Sequence, residues 1–237
     1  MNVPESRFFV YRNGQLHCEA VDLRAIAKDV GTPAYVYSWN AIRQSYASID
    51  HALQFTKHTI CYAVKANSSL AILKRLGKLG SGADIVSGGE MMRALEAGIP
   101  AERIVFSGVG KTDAEIESAL AAGVRSLHAE SAAEIDAIEA IAKRMGRAAP
   151  VSLRVNPNVD PQTHPYIATG LKTSKFGIAM ETARALAPRI IASPHLVLEG
   201  LACHIGSLIG APGAVRDAVH ALGALSVEPT AMGARLT

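Results

Sequence analysis

The sequence predicts an α/β fold, a partial (β/α)8 barrel of the TIM type with about six of the eight strands that closure needs, and three observations support it. Short β-branched runs alternate with longer segments of helical period. The units recur about every 20 to 25 residues, the spacing of strand and helix pairs in a parallel sheet. Polar residues follow every strand from Lys65 onward: Lys65 and Asn67, Ser87, Ser107, His128 and Glu130, Arg154 and Asn156, His204 and Ser207. A barrel gathers all such exits at one mouth, whereas a doubly wound sheet concentrates them near one switch point.

Taken in order, the strand runs fall at 34–37, 59–64, 83–86, 103–106, 125–128, 151–155 and 198–203. Helices are expected at 39–53, 70–79, 89–97, 113–122, 132–145 and 181–191, and Gly80, Gly98, Gly123 and Gly146 stand where helices stop. The barrel count starts at Thr59 and reaches about six, so an open parallel sheet with exposed edges is expected. Between Asn156 and Gly177 the rhythm breaks. That stretch holds three prolines, two glycines and no apolar period, which reads as a long binding loop or a tolerated surface insertion.

Composition narrows the function classes. The 237 residues are 49% hydrophobic and 19% charged, enough apolar material for a sizeable core and unlike a disordered chain. The 24 Lys and Arg residues are interleaved with 21 acids, for a net charge of +3, so no block of charge tracks a nucleic-acid backbone. Residues 195–215 are the most apolar window, but Glu199, His204, Pro212 and four glycines argue against a membrane span. Glu5, Arg7, Arg12 and Glu19 interrupt the first twenty residues, so no secretory signal is expected. Cys18, Cys61 and Cys203 are odd in number and widely spaced, which suggests neither a disulfide framework nor a metal site and fits a cytoplasmic setting.

Among residues able to do chemistry, Lys65 ends the run CYAVK, which delivers an amine to the barrel mouth. A desolvated lysine is more readily neutral, and the neutral amine makes a Schiff base with an aldehyde. By itself, a lysine at a strand end reads more often as a solvated cap than as a Schiff-base amine. Ser87, Gly88 and Gly89 read as a tight turn ahead of a helix, with Glu90 in its first turn.

Five segments occur in order at barrel-unit spacing: YAVKAN, GADIVSGGE, FSGVGKT, LRVNPNVDPQTHPYIATGLKTSKFGI and LEGLACHIGS. Together, from about Phe8 to Ser207, they resemble the bacterial diaminopimelate decarboxylase family, pyridoxal-phosphate enzymes of the alanine-racemase-like barrel class. The resemblance implies a lyase of lysine biosynthesis that removes carbon dioxide from meso-2,6-diaminopimelate, with pyridoxal 5'-phosphate as cofactor and no metal. It makes Lys65 the residue that holds the cofactor as a Schiff base and His204 the one that packs on its pyridine face, these two being the catalytic pair. Cofactor contacts fall to Lys65, Asp84, Arg154, His204 and Ser207. His164, Lys172 and Lys175 on the long loop are candidates to meet substrate or a neighbouring subunit. A homodimer and a small amino-acid substrate are the implied partners.

The resemblance is lost within a few residues of Ser207. The family continues there with further barrel units and a β-rich second domain, in place of which stands LIGAPGAVRDAVHALGALSVEPTAMGARLT. The expected organisation is therefore an N-terminal segment at 1–33, a pyridoxal-phosphate-binding barrel at 34–207 and a divergent tail at 208–237, a chain shortened at its C-terminus whose own turnover stands in question. Three alternatives stay open: a related ornithine, arginine or carboxynorspermidine decarboxylase, a non-catalytic pyridoxal-phosphate-binding barrel, and an inactive remnant.

Overall fold

The first 22 residues hold a feature that periodicity did not predict. Strands β1 (Phe9–Arg12) and β2 (Gln15–Cys18) form an antiparallel hairpin, and β3 (Val21–Asp22) pairs with β2. Asn13 and Gly14 turn the hairpin with φ of 50° and 75°, the two left-handed conformations that a two-residue turn of this hand requires. The structure, a computed structural model, describes residues 7–159, 176–207, 209, 212–234 and 236.

Contacts divide the chain into two units, Met1–Ile60 and Cys61–Thr237. In the first, helix α1 (Leu23–Val30) starts where the Asp22 carboxylate accepts the Arg24 amide at 2.9 Å. Helix α2 (Trp39–Ala52) is capped by Ser38, whose hydroxyl accepts the Ala41 amide at 3.0 Å and donates to Glu19 at 2.6 Å. Glu19 also accepts the Asn40 amide, and these bonds hold its carboxyl below the usual range. The run at 34–37, expected as a strand, is extended but pairs with no described strand. Tyr35 is 91% exposed, so its β propensity meets no partner surface.

The second unit contains the expected alternation. Strands β4 (Cys61–Ala63), β5 (Gly82–Ile85), β6 (Ile104–Phe106), β7 (Ser126–Ala129), β8 (Ala149–Asn156) and β10 (Leu196–Ala202) lie in that order across one sheet, and every pairing is parallel. A two-residue strand, β9 (Ile178–Ala179), adds to β8. Helices α3 (Leu70–Lys78), α4 (Gly88–Glu96), α5 (Asp113–Ala122), α6 (Ala132–Arg144) and α7 (Met180–Ala192) occupy the connections. Six strands laid down in sequence order are the expected open part of a (β/α) barrel.

Helix starts are written into the sequence. Ser87, Thr112 and Ser131 each accept the amide three residues on, and Thr112 with Glu115 completes a reciprocal capping box. Glu115 also accepts the Gly88 amide at 2.7 Å, tying the start of α4 to α5. At the far end of α5, Gly123 adopts φ 76°, ψ 43°, which closes the helix with the amide of the same glycine. Ile135, Ile138, Ile141 and Ala142 form the buried stripe of α6, each isoleucine contributing about 1.5 to 3 kcal/mol by burial.

The strands divide by period two. Ile85, Phe106, Leu127, Ala129, Leu153 and Val155 belong to the core with the helices. Their alternates, Asp84, Ser126, His128, Ser152 and Arg154, share the other face of the sheet. There the Ser126 and Ser152 hydroxyls meet at 2.8 Å. The tail at 208–237, given no secondary structure from sequence, holds helix α8 (Pro212–Ala231), in which Ala218 and Leu225 are buried and Leu222 packs against the core. Among the described residues no helix is long and apolar enough to cross a membrane.

Candidate active site

Parallel strands end on the same side of a sheet, so one polar residue from each strand end is enough to build a site. Lys65 follows β4 in a single 3-10 turn at Val64–Ala66, while Asp84, Ser107 and His128 come from the ends of β5, β6 and β7. Arg154 is on β8, and His204 and Ser207 follow β10. All seven line one cavity of about 400 Å³, a volume suited to a small cofactor. The five residues expected to contact a cofactor, Lys65, Asp84, Arg154, His204 and Ser207, are thus brought to one place. The loop residues His164, Lys172 and Lys175 lie outside the described residues.

Two hydrogen-bonded groups organise the walls. The Ser107 hydroxyl donates to Asp84 Oδ1 at 2.6 Å and meets His128 Nδ1 at 3.0 Å. Burial, and then the charges of Lys111 and Arg154, push the His128 pKa down to about 4, so the ring is neutral near pH 7. Arg154 donates to Glu130 Oε1 at 2.7 Å, and the guanidinium stands 5.7 Å from the centre of the Phe176 ring. Glu130 Oε2 accepts the Gly177 amide at 3.0 Å, which fixes the return of the chain from the long loop beside the cavity. Gly177 has φ 76°, and a Cβ there would stand 2.9 Å from Asn156 Oδ1 and 3.0 Å from the Arg154 carbonyl oxygen.

Lys111 supports the floor from behind. Its ammonium is fully buried and donates to the Gly108 carbonyl at 2.6 Å, the His128 carbonyl at 2.8 Å and Glu134 Oε1 at 2.7 Å, so all three protons are used. Burial first, then Arg154 and Lys65, lower the His204 pKa, which favours an uncharged imidazole on the cavity wall. Burial raises the neighbouring Cys203 thiol. Lys65 is itself an exposed residue at the cavity mouth.

The donor set suits an anionic, aldehyde-bearing aromatic group. A primary amine can bond to the aldehyde, a neutral imidazole can lie against a ring, and Gly206 and Ser207 offer backbone and hydroxyl donors to an anion. Lys111 and Phe176 received no role from the sequence. Ser107, His128 and Glu130 were recognised only as strand exits. The period-two pattern of SLHA, with Leu127 and Ala129 inward, is the signal that places His128 on the cavity face.

Residues 39–237 match the family described as the pyridoxal-dependent decarboxylase, pyridoxal binding domain. A diaminopimelate decarboxylase of Neisseria meningitidis serogroup B is 50% identical over 192 residues, covering 81% of this chain and 46% of that protein. The crystal structure of diaminopimelate decarboxylase from Helicobacter pylori complexed with L-lysine has 41% identity and a TM-score of 0.87, covering 91% of this chain and 55% of the other. The M. jannaschii diaminopimelate decarboxylase in co-complex with L-lysine has 34% identity and a TM-score of 0.88, covering 97% and 55%. The chain therefore spans about half the length of the relatives it matches.

Proposed function

Because the chain belongs to the pyridoxal-dependent decarboxylases, with pyridoxal phosphate as cofactor, we propose that it serves the decarboxylation of meso-2,6-diaminopimelate to L-lysine. In that reaction one carboxyl group leaves as carbon dioxide and a proton takes its place on the same carbon. The observation behind the reading is the meeting of Lys65, Asp84, Arg154, His204 and Ser207 around one cavity, in a chain 50% identical over 192 residues to a diaminopimelate decarboxylase. Relatives of known structure that carry L-lysine support the substrate class.

When bound, pyridoxal phosphate supplies the electron sink for the pair left by departing carbon dioxide. The protein's residues do the rest. Lys65 offers the amine that holds the cofactor, and Asp84 provides a carboxylate facing the same cavity that favours a charged nitrogen. His204, kept neutral by burial and by Arg154, is suited to lie against the pyridine ring without adding positive charge to it. Ser207 and the adjoining backbone are suited to the phosphate. Arg154, aimed by Glu130 and backed by Phe176, holds a cation at the cavity edge where an anionic group is recognised. The same reading takes the protein to be cytoplasmic, in keeping with free Cys18, Cys61 and Cys203, and to act as a homodimer.

Reduction with borohydride after incubation with pyridoxal phosphate tests the reading. The label should map to Lys65 and vanish in Lys65→Ala, and carbon dioxide release from meso-diaminopimelate then tests turnover. Label scattered over surface lysines, unchanged by the substitution, would refute it.

A further inference from the structure

Three adjacent strands contribute a connected row of side chains: Asp84 from β5, Ser107 from β6 and His128 from β7. We propose that His128, acting through Ser107, is a positioning residue that aims the Asp84 carboxylate into the cavity and so prepares the site around Lys65. The proposal rests on the reading of that cavity as the pyridoxal-phosphate site.

The direction of each hydrogen bond follows from the available protons. A carboxylate oxygen only accepts, so the one hydroxyl proton of Ser107 is committed to Asp84 at 2.6 Å. Toward His128 the serine oxygen must then accept, and Nδ1 at 3.0 Å must donate. A neutral imidazole has one N–H, so Nδ1 carries it and Nε2 does not, the reverse of the tautomer favoured in water. The charged groups facing the ring, Lys111 beside α5 and Arg154 on β8, both oppose a second proton. Nothing in the row is free to rotate without breaking a bond.

The backbone beneath the row is clamped. Lys111 bonds the carbonyl of His128 and that of Gly108, one residue past Ser107, and anchors both to Glu134 on α6. Its ammonium also stands 5.6 Å from the centre of the Phe106 ring, the residue before Ser107. The ends of β6 and β7 are thereby held in fixed register, which is what a side-chain relay between them needs. A histidine kept only for packing would require neither the committed serine proton nor this clamp.

Ring-nitrogen NMR on the 237-residue chain, without cofactor and near neutral pH, reads the tautomer directly, with the His128 signal identified by its loss in His128→Asn. The expected spectrum has Nδ1 protonated and Nε2 bare, and Ser107→Ala should collapse that preference. The second readout is the rate of borohydride-fixed pyridoxal phosphate incorporation at Lys65. Ser107→Ala, which removes the hydrogen bond to the Asp84 carboxylate, and His128→Leu, which removes the donor that holds that serine in place, should each slow it about tenfold, whereas His128→Asn, which returns a donor near the Nδ1 position, should stay within about twofold. A melting curve shows whether each variant is folded. A proton on Nε2 in the wild type, or wild-type labelling in folded His128→Leu, overturns the proposal. Absence of label in the wild-type chain with the Nδ1 proton in place would refute the pyridoxal-phosphate reading, and the positioning role with it, while leaving the hydrogen-bond row intact.

Discussion

Lowering the pH should remove stability through His128, by an amount that the structure sets. The folded ring titrates near 4 because burial and two neighbouring cations disfavour the imidazolium, against 6.5 for an unhindered histidine. Between those values the unfolded chain binds more protons than the folded one, so stability falls as pH falls through about 6.5 and the loss levels off below about 4. The two values imply a loss of about 2 kcal/mol at pH 5 and about 3 kcal/mol at pH 4 relative to neutral pH. Other groups titrate in the same region. Glu19, Glu115 and Glu139 are all held below their ordinary values, and His204 likewise, so each also costs stability on acidification. Half-buried His58, raised by its bonds to Thr56 and Asp50, acts in the opposite direction. The comparison that isolates His128 is therefore urea unfolding of wild type and His128→Asn across the same pH series, where the shared terms cancel. The difference between the two proteins should shrink, or change sign, by about 2 kcal/mol between pH 7.5 and 5 with no change in the slope against urea. Parallel pH profiles would refute the reasoning.

Three substitutions test other parts of the scaffold. Lys111→Met leaves the Glu134 carboxylate and two carbonyls without their buried donor and should cost about 3 to 5 kcal/mol in urea unfolding at neutral pH; a cost under about 1 kcal/mol would show that water replaces the ammonium. Gly82→Ala places a Cβ against the Arg103 carbonyl and 2.8 Å from Cys61 Sγ, inside the start of β5, and should destabilise by about 3 kcal/mol or more; a wild-type melting temperature would contradict the tight approach of β5 to its neighbours. Gly177→Ala combines a left-handed φ with crowding against Asn156 and should cost about 2 kcal/mol and weaken pyridoxal phosphate labelling of Lys65, because the same residue's amide anchors Glu130 opposite Arg154; unchanged labelling would separate the loop return from the site.

Strands β4 to β8 and β10, with the helices between them, were legible because each is a local object. An apolar run bounded by polar residues is a strand wherever it finds neighbours, and Ser87, Thr112 and Ser131 cap helices by bonds that span three residues. The failures were of two kinds. Residues 34–37 have the composition of a strand but no pairing edge among the described strands, and a strand is defined by its partner. The hairpin at 9–18 was announced by Asn13 and Gly14, but its short strands with half-buried and exposed faces lack the clean alternation that periodicity detects.

The sequence by itself determined the alternating α/β character of the chain, the positions of its helix ends and the five residues now found around one cavity. Those depend on short-range rules or on motifs that survive as strings. Only the tertiary structure decided that Ser107 would bridge Asp84 and His128, that Lys111 would bind two carbonyls and Glu134, and that Glu130 would hold both Arg154 and Gly177. Apart from the Lys111 bond to Gly108, which spans three residues, these contacts join residues 17 to 47 positions apart. Parallel pairing brings them together, since every strand passes its end to the same side of the sheet, and the register between strands is set by the packing of all the helices at once.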